Sequence, residues 1–234
     1  MNRAGAGPRR ALFVLTILTG SFLLFLVQPL VARLALPRLG GAPNVWNSAM
    51  LVYQALLLAG YFYAHRLSRL PLKQQGRLHL ALLALAGLTL PITLANLPPP
   101  AAGMEILWVP ALLALTIGPV FFLVSAQAPL MQRWYAAHPG ASAPWALYAA
   151  SNLGSFGGLI AYPLLAEPLL SASQQSLGWS LGYALLVILV GLCAWSRSGT
   201  AEPAPEQVAD ASAAAVGWRR IALWLVLAAV PSGL

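Results

Sequence analysis

Long apolar runs dominate this chain, separated by short breaks that carry most of its charge, proline and glycine. Six runs, at 11–36, 45–64, 78–97, 106–132, 145–166 and 177–196, meet or approach the length needed to cross a bilayer. A helix rises about 1.5 Å per residue, so roughly 20 apolar residues span a hydrocarbon core of about 30 Å. The pattern predicts an all-α integral membrane protein with six transmembrane helices. A seventh run starts at Trp218 and is still apolar at Leu234. Its stretch 221–234 would cover only about two-thirds of the bilayer, so the chain is expected to stop inside a seventh helix.

Arg3, Arg9 and Arg10 ahead of the first run resemble the start of a signal peptide. A secretory apolar region is usually about 7–15 residues long. Here the run stays apolar from 11 to 32 before reaching Arg33, which predicts an uncleaved first helix. The stretch 197–216 is polar and without periodicity, with Glu202-Pro203-Ala204-Pro205-Glu206 at its centre, and reads as a linker. The expected organisation is a six-helix bundle at 1–196, a flexible cytoplasmic linker at 197–217 and the truncated start of a seventh helix at 218–234.

Composition agrees with lipid as the solvent: 59% of residues are hydrophobic and only 8% charged, against about 25% charged in a soluble domain. The net charge of +8 does not point to nucleic acid, because Lys and Arg sit between the apolar runs. With the N-terminus in the cytoplasm, every Lys and Arg except Arg33 and Arg38 falls on the inner side, as the positive-inside rule requires.

The two halves of the bundle repeat each other. Phe22-Leu23 recurs as Phe122-Leu123, Pro29-Leu30 as Pro129-Leu130, and Arg33 as Arg133; after a one-residue slip Trp46 matches Trp145 and Tyr63 matches Tyr162. Three crossings separate the first helix from the fourth, so such a three-helix repeat is inverted in the membrane. Inverted 3+3 repeats are a transporter device, with binding near mid-membrane at the repeat interface; the alternative is that duplication supplied a stable bundle and no function.

Polar groups inside lipid need a partner or a role. Gln28, Gln54, Gln127 and Asn152 lie in or near the apolar runs, and Glu167 closes the fifth. These five are the candidate substrate-binding residues. Gln28 and Gln127 also have a local reading, since Pro29 and Pro129 each free a carbonyl that an amide side chain can satisfy. Arg33 and Arg133 are expected to snorkel to the interface. Glu167 would attract a small cationic solute from outside or be an idle helix-end carboxylate. Ala150, Gly154 and Gly158 form a small-residue stripe for close helix packing, not a nucleotide loop, which needs a preceding strand. Cys193 is alone, and His65, His79 and His138 lack ligand spacing and read as interfacial residues. No catalytic, cofactor-binding or metal-binding set is expected.

Three stretches carry a family resemblance. They are Phe22-Leu23-Leu24-Phe25-Leu26-Val27-Gln28-Pro29-Leu30, the region 36–65 around Gly40-Gly41-Ala42-Pro43-Asn44-Val45-Trp46-Asn47, and the region 147–168. Together they resemble bacterial fused major-facilitator/spermidine-synthase-like membrane proteins. The resemblance implies a major-facilitator-like half in the cytoplasmic (inner) membrane and leaves the transported or bound molecule open; the inverted repeat with its proline-interrupted helices adds the expectation of a carrier for a small solute such as a polyamine. Alternatively, it implies an anchor for a spermidine-synthase-like enzyme domain following Leu234. On either reading this chain itself is not the enzyme.

Overall fold

The computed structural model describes residues 6–100, 104–137, 144–196 and 217–229, so most of the expected linker, the end of the seventh run and His138 lie outside the described residues. Among the described residues the chain is helical, with no strand. Helix α1 (Ala6–Leu39) is followed by α2 (Pro43–Leu67) across a turn at Gly40. Gly40 takes φ 71°, and its N–H donates to the Leu36 carbonyl at 2.9 Å. This is the left-handed glycine closure of a helix end. Pro43 then opens α2 with a backbone angle already suited to a first helical turn.

Helix α3 (Leu72–Gly87) ends earlier than the apolar run 78–97 predicts. Pro91 and Pro98-Pro99-Pro100 lie in the non-helical segment that follows, where their missing N–H groups would break a helix ladder. Its polar backbone is met by other parts of the chain. Ala95 N–H donates to Thr116 Oγ1 at 3.1 Å, and Ser176 Oγ donates to the Ile92 carbonyl at 2.6 Å. Arg38 donates to the carbonyls of Ala95 and Leu97 at 3.2 and 2.8 Å.

Helices α4 (Glu105–Ser125) and α5 (Gln127–Ala136) form one apolar rod interrupted at Ala126. Helix α6 (Trp145–Ala161) passes through a π-helical turn at Tyr162–Ala166 into α7 (Glu167–Leu169), where Pro163 and Pro168 remove ladder donors. Helix α8 (Ala172–Ser196) completes this unit; α9 (Trp218–Ala229) belongs to a second one. Among the described residues four stretches are long and apolar enough to cross a membrane: Arg10–Leu39, Pro43–Leu67, Ile106–Ala136 and Ala172–Ser196. Leu51, Leu58, Phe62, Leu153 and Phe156 are largely exposed, an exterior suited to lipid.

Helix α1 is central, packing most extensively on α6 and then on α8, while α2 packs on α4. Glycine permits the two closest approaches. A Cβ on Gly158 of α6 would lie 2.5 Å from the Phe22 carbonyl oxygen of α1, and one on Gly154 would overlap the Leu18 carbonyl oxygen. Gly60 of α2 does the same against α4, where a Cβ would lie 2.6 Å from the Phe122 carbonyl oxygen. Between α1 and α8, buried Trp179 donates from Nε1 to the Leu23 carbonyl at 3.0 Å. Trp179→Phe is expected to cost about 1–2 kcal/mol in lost packing and hydrogen bonding, read as a lower unfolding midpoint in mild detergent.

Candidate functional site

The five sequence-derived candidates do not converge. Gln54 and Asn152 are exposed on α2 and α6, and Glu167 is exposed at the start of α7. Gln28 is half-buried in α1; its Nε2 reaches the Leu24 carbonyl at 3.5 Å, the outer limit of a hydrogen bond. The Gln28 carbonyl accepts from the Tyr53 hydroxyl at 3.2 Å. Only Gln127 is enclosed, at 1% exposure. The two arginines meet carbonyls at helix turns: Arg33 donates to Glu167 and Leu170, both at 3.2 Å, and Arg133 donates to Ser68 at 3.3 Å.

His79 is the site residue that sequence reasoning misses. The expectation of interfacial histidines fails for it, because the imidazole is fully buried. Helix α3 buries Gln75, Gly76, His79, Leu83 and Ala86, one face at helical spacing. Read that way, the apolar positions Leu83 and Ala86 place His79 inside. Its Nδ1 lies 3.3 Å from the Tyr63 hydroxyl, and the two rings stack with centroids 5.9 Å apart. The Gln127 side chain also faces the imidazole. Neither Nε2 of His79 nor either amide atom of Gln127 makes a hydrogen bond of good geometry, although the two side chains lie close enough to interact with each other.

Several elements build this enclosure. Gln127 is the first residue of α5, directly after the interruption at Ala126. Two residues further, Pro129 cannot donate to the Ser125 carbonyl, which weakens the helix at that point. From α1, Gly20 makes room: a Cβ there would lie 2.7 Å from Gln127 Cγ. Tyr63 comes from α2 and leans its ring on Phe122 of α4 at a centroid distance of 5.4 Å. The result is a buried amide and a buried imidazole beside a half-buried phenol, all neutral donors and acceptors. A separate crevice lined by Ala32, Leu36, Val45, Trp46 and Tyr53 is largely apolar. Among the described residues no group of three or more His, Cys, Asp or Glu could hold a metal ion.

Positions 100 residues apart behave alike across the bundle. The order of buried and exposed residues over 71–88 is repeated, position for position, over 171–188. Gln75 Nε2 donates to the Leu70 carbonyl at 2.7 Å, and Gln175 Nε2 to the Leu170 carbonyl at 3.1 Å. Thr16 and Thr116 each donate to the carbonyl four residues back at 2.7 Å. His79 corresponds to Trp179, whose N–H is satisfied. Comparisons with protein-family models, curated proteins and solved structures return no match to this chain.

Proposed function

We propose that this chain is the six-helix, major-facilitator-like half of a small-solute carrier, of the fused spermidine-synthase-like type and set in a bacterial inner membrane with its N-terminus in the cytoplasm. The reading rests chiefly on the interruption of α4–α5 at the enclosed Gln127–His79 pair. Interrupted helices whose backbone and side chains face a cavity are where carriers bind their cargo.

An inverted 3+3 repeat is supported by the matched burial of 71–88 and 171–188 and by the paired glycine contacts of Gly60 and Gly158. On this reading the third crossing is α3 with the tail that follows it, and the fifth is α6 with its π-helical turn and α7. Helix α3 has 16 residues, about 24 Å of rise, so the tail completes the span. Non-helical backbone at membrane depth is tolerated where protein covers it, and Thr116 and Ser176 provide such cover.

The pair Gln74 and Gln174, both exposed, tests the inversion directly. In a Cys193→Ala background, Gln174→Cys is expected to react with a membrane-impermeant maleimide on intact spheroplasts. Gln74→Cys should react only after permeabilisation. Labelling of both from the same side would overturn the inverted repeat.

The cargo is a small polar solute, and the family resemblance makes a polyamine the first to assay. Proteoliposomes containing the full-length protein should accumulate labelled solute above empty vesicles. No uptake of polyamines or of small neutral polar solutes would sink the carrier reading. A second reading is favoured by the density of the core, where Trp134, Trp179, Phe13 and Phe121 are almost wholly buried: a rigid bundle suits an anchor that holds a synthase-like domain at the membrane. An anchor supports enzyme location without uptake.

A further inference from the structure

We propose that His79, Gln127 and Tyr63 form a binding site for an uncharged group carrying both a hydrogen-bond donor and an acceptor, the carboxamide or hydroxyl class of small solute. The inference concerns the ligand chemistry of the α4–α5 interruption and does not require that the solute be carried across the membrane.

Among the described residues, five buried side-chain polar atoms have no partner: His79 Nε2, Gln127 Nε2, Gln127 Oε1, Tyr162 OH and Gln175 Oε1. Three of them meet in this one place. Leaving a buried donor or acceptor unanswered costs about 1–3 kcal/mol apiece; the facing imidazole and amide can answer each other at only one atom apiece, so one amide atom stays unmet unless something binds there. The related positions in the other half of the bundle are filled differently, although Tyr162, which matches Tyr63, also has a buried hydroxyl without a partner. Trp179 stands where His79 would be and donates to the Leu23 carbonyl, and the apolar Val27 stands where Gln127 would be.

The atoms themselves select the ligand. Nδ1 and the Tyr63 hydroxyl share a hydrogen bond at 3.3 Å; in the tautomer in which the hydroxyl donates, the imidazole offers a donor at Nε2, and in the other it offers an acceptor there. Gln127 adds a donor from Nε2 and an acceptor at Oε1. A carboxamide answers all three, and a hydroxyl answers one of each kind. An ammonium ion, a donor only, would leave the Gln127 N–H unanswered in either tautomer. The neighbours that frame the site, Gly20, Tyr63 and Phe122, bring no carboxylate to hold a cation. The site therefore favours neutral solutes over the polyamine that the family resemblance suggests.

The experiment uses the full-length protein in lipid nanodiscs with ¹⁵N-labelled histidine, the His79 signals being identified by their loss in His79→Phe. Acetamide is the neutral probe and putrescine the cationic one. Acetamide is expected to shift the His79 signals saturably, and putrescine to leave them in place. Gln127→Leu should abolish the acetamide response while the His65 and His138 signals stay unchanged, which shows that the bundle is folded. Should Gln127→Leu fold poorly, Tyr63→Phe serves in its place and is expected to weaken acetamide about fivefold, the equivalent of one lost hydrogen bond. A non-saturable response, a response unaltered in the variants, or saturable binding of putrescine would overturn the proposal. Uptake without acetamide binding would refute this site and leave the carrier reading standing; binding without uptake would do the reverse.

Discussion

Gly158→Ala is expected to destabilise the bundle by about 2–3 kcal/mol, the cost of overpacking a contact that cannot relax, although alanine is the better helix former. The added methyl would lie 2.5 Å from the Phe22 carbonyl oxygen and 3.2 Å from Leu26 N, both backbone atoms of α1. A side chain can rotate away; a helix backbone can only move as a unit. Relief of the clash means separating α1 from α6 along their whole contact, including the Ser21–Ser151 hydroxyl pair at 3.0 Å. Gly157 supplies the control one residue away. A Cβ there meets only the Phe22 ring edge at 3.6 Å, an ordinary contact, so Gly157→Ala should be neutral or gain up to about 1 kcal/mol from helix propensity. Unfolding midpoints of the two variants in detergent decide the matter. An equal gain at both positions would mean that helix propensity and not the α1–α6 approach controls stability.

That contact was legible beforehand because the small-residue stripe Ala150, Gly154, Gly158 has a physical meaning that survives without coordinates. The apolar runs were legible for a similar reason, since lipid imposes one minimum length on every helix. The end of α3 was not. Whether the segment after Gly87 stays helical depends on Thr116, Ser176 and Arg38 meeting its carbonyls and N–H groups, and these come from distant parts of the chain. Within the site, Gln127 could be singled out by its place beside Pro129, yet an identical argument selected Gln28, which finds a carbonyl. Gln54 and Asn152 look equivalent to Gln127 by composition, but helix rotation turns them outward. His79 was hidden by its type, since a lone histidine near Arg77 and Lys73 resembles an interfacial residue. Only the shared face with Gln75, Leu83 and Ala86 reveals it.

Two glutamines of equal burial are expected to respond to the same substitution with opposite sign. Gln75 is 2% exposed and fully used: Nε2 donates to the Leu70 carbonyl at 2.7 Å and Oε1 accepts from Trp134 Nε1 at 2.9 Å. Gln75→Leu removes both bonds and strands the N–H of a tryptophan that is itself 1% exposed. The cost should be about 2–3 kcal/mol, combining a lost hydrogen bond with an unanswered buried donor. Gln127 is 1% exposed and its amide is unpaired. Gln127→Leu replaces it with an apolar group of similar volume and removes two of the unanswered atoms beside His79. In ligand-free protein it should therefore raise stability by about 1–2 kcal/mol. A stabilising substitution is commonly available where a site is kept unsatisfied for function, and here it should come with loss of acetamide binding. If Gln127→Leu proved as destabilising as Gln75→Leu, the Gln127 amide would have to be a structural tie like its counterpart on α3, and the proposed ligand site beside His79 would lose its basis.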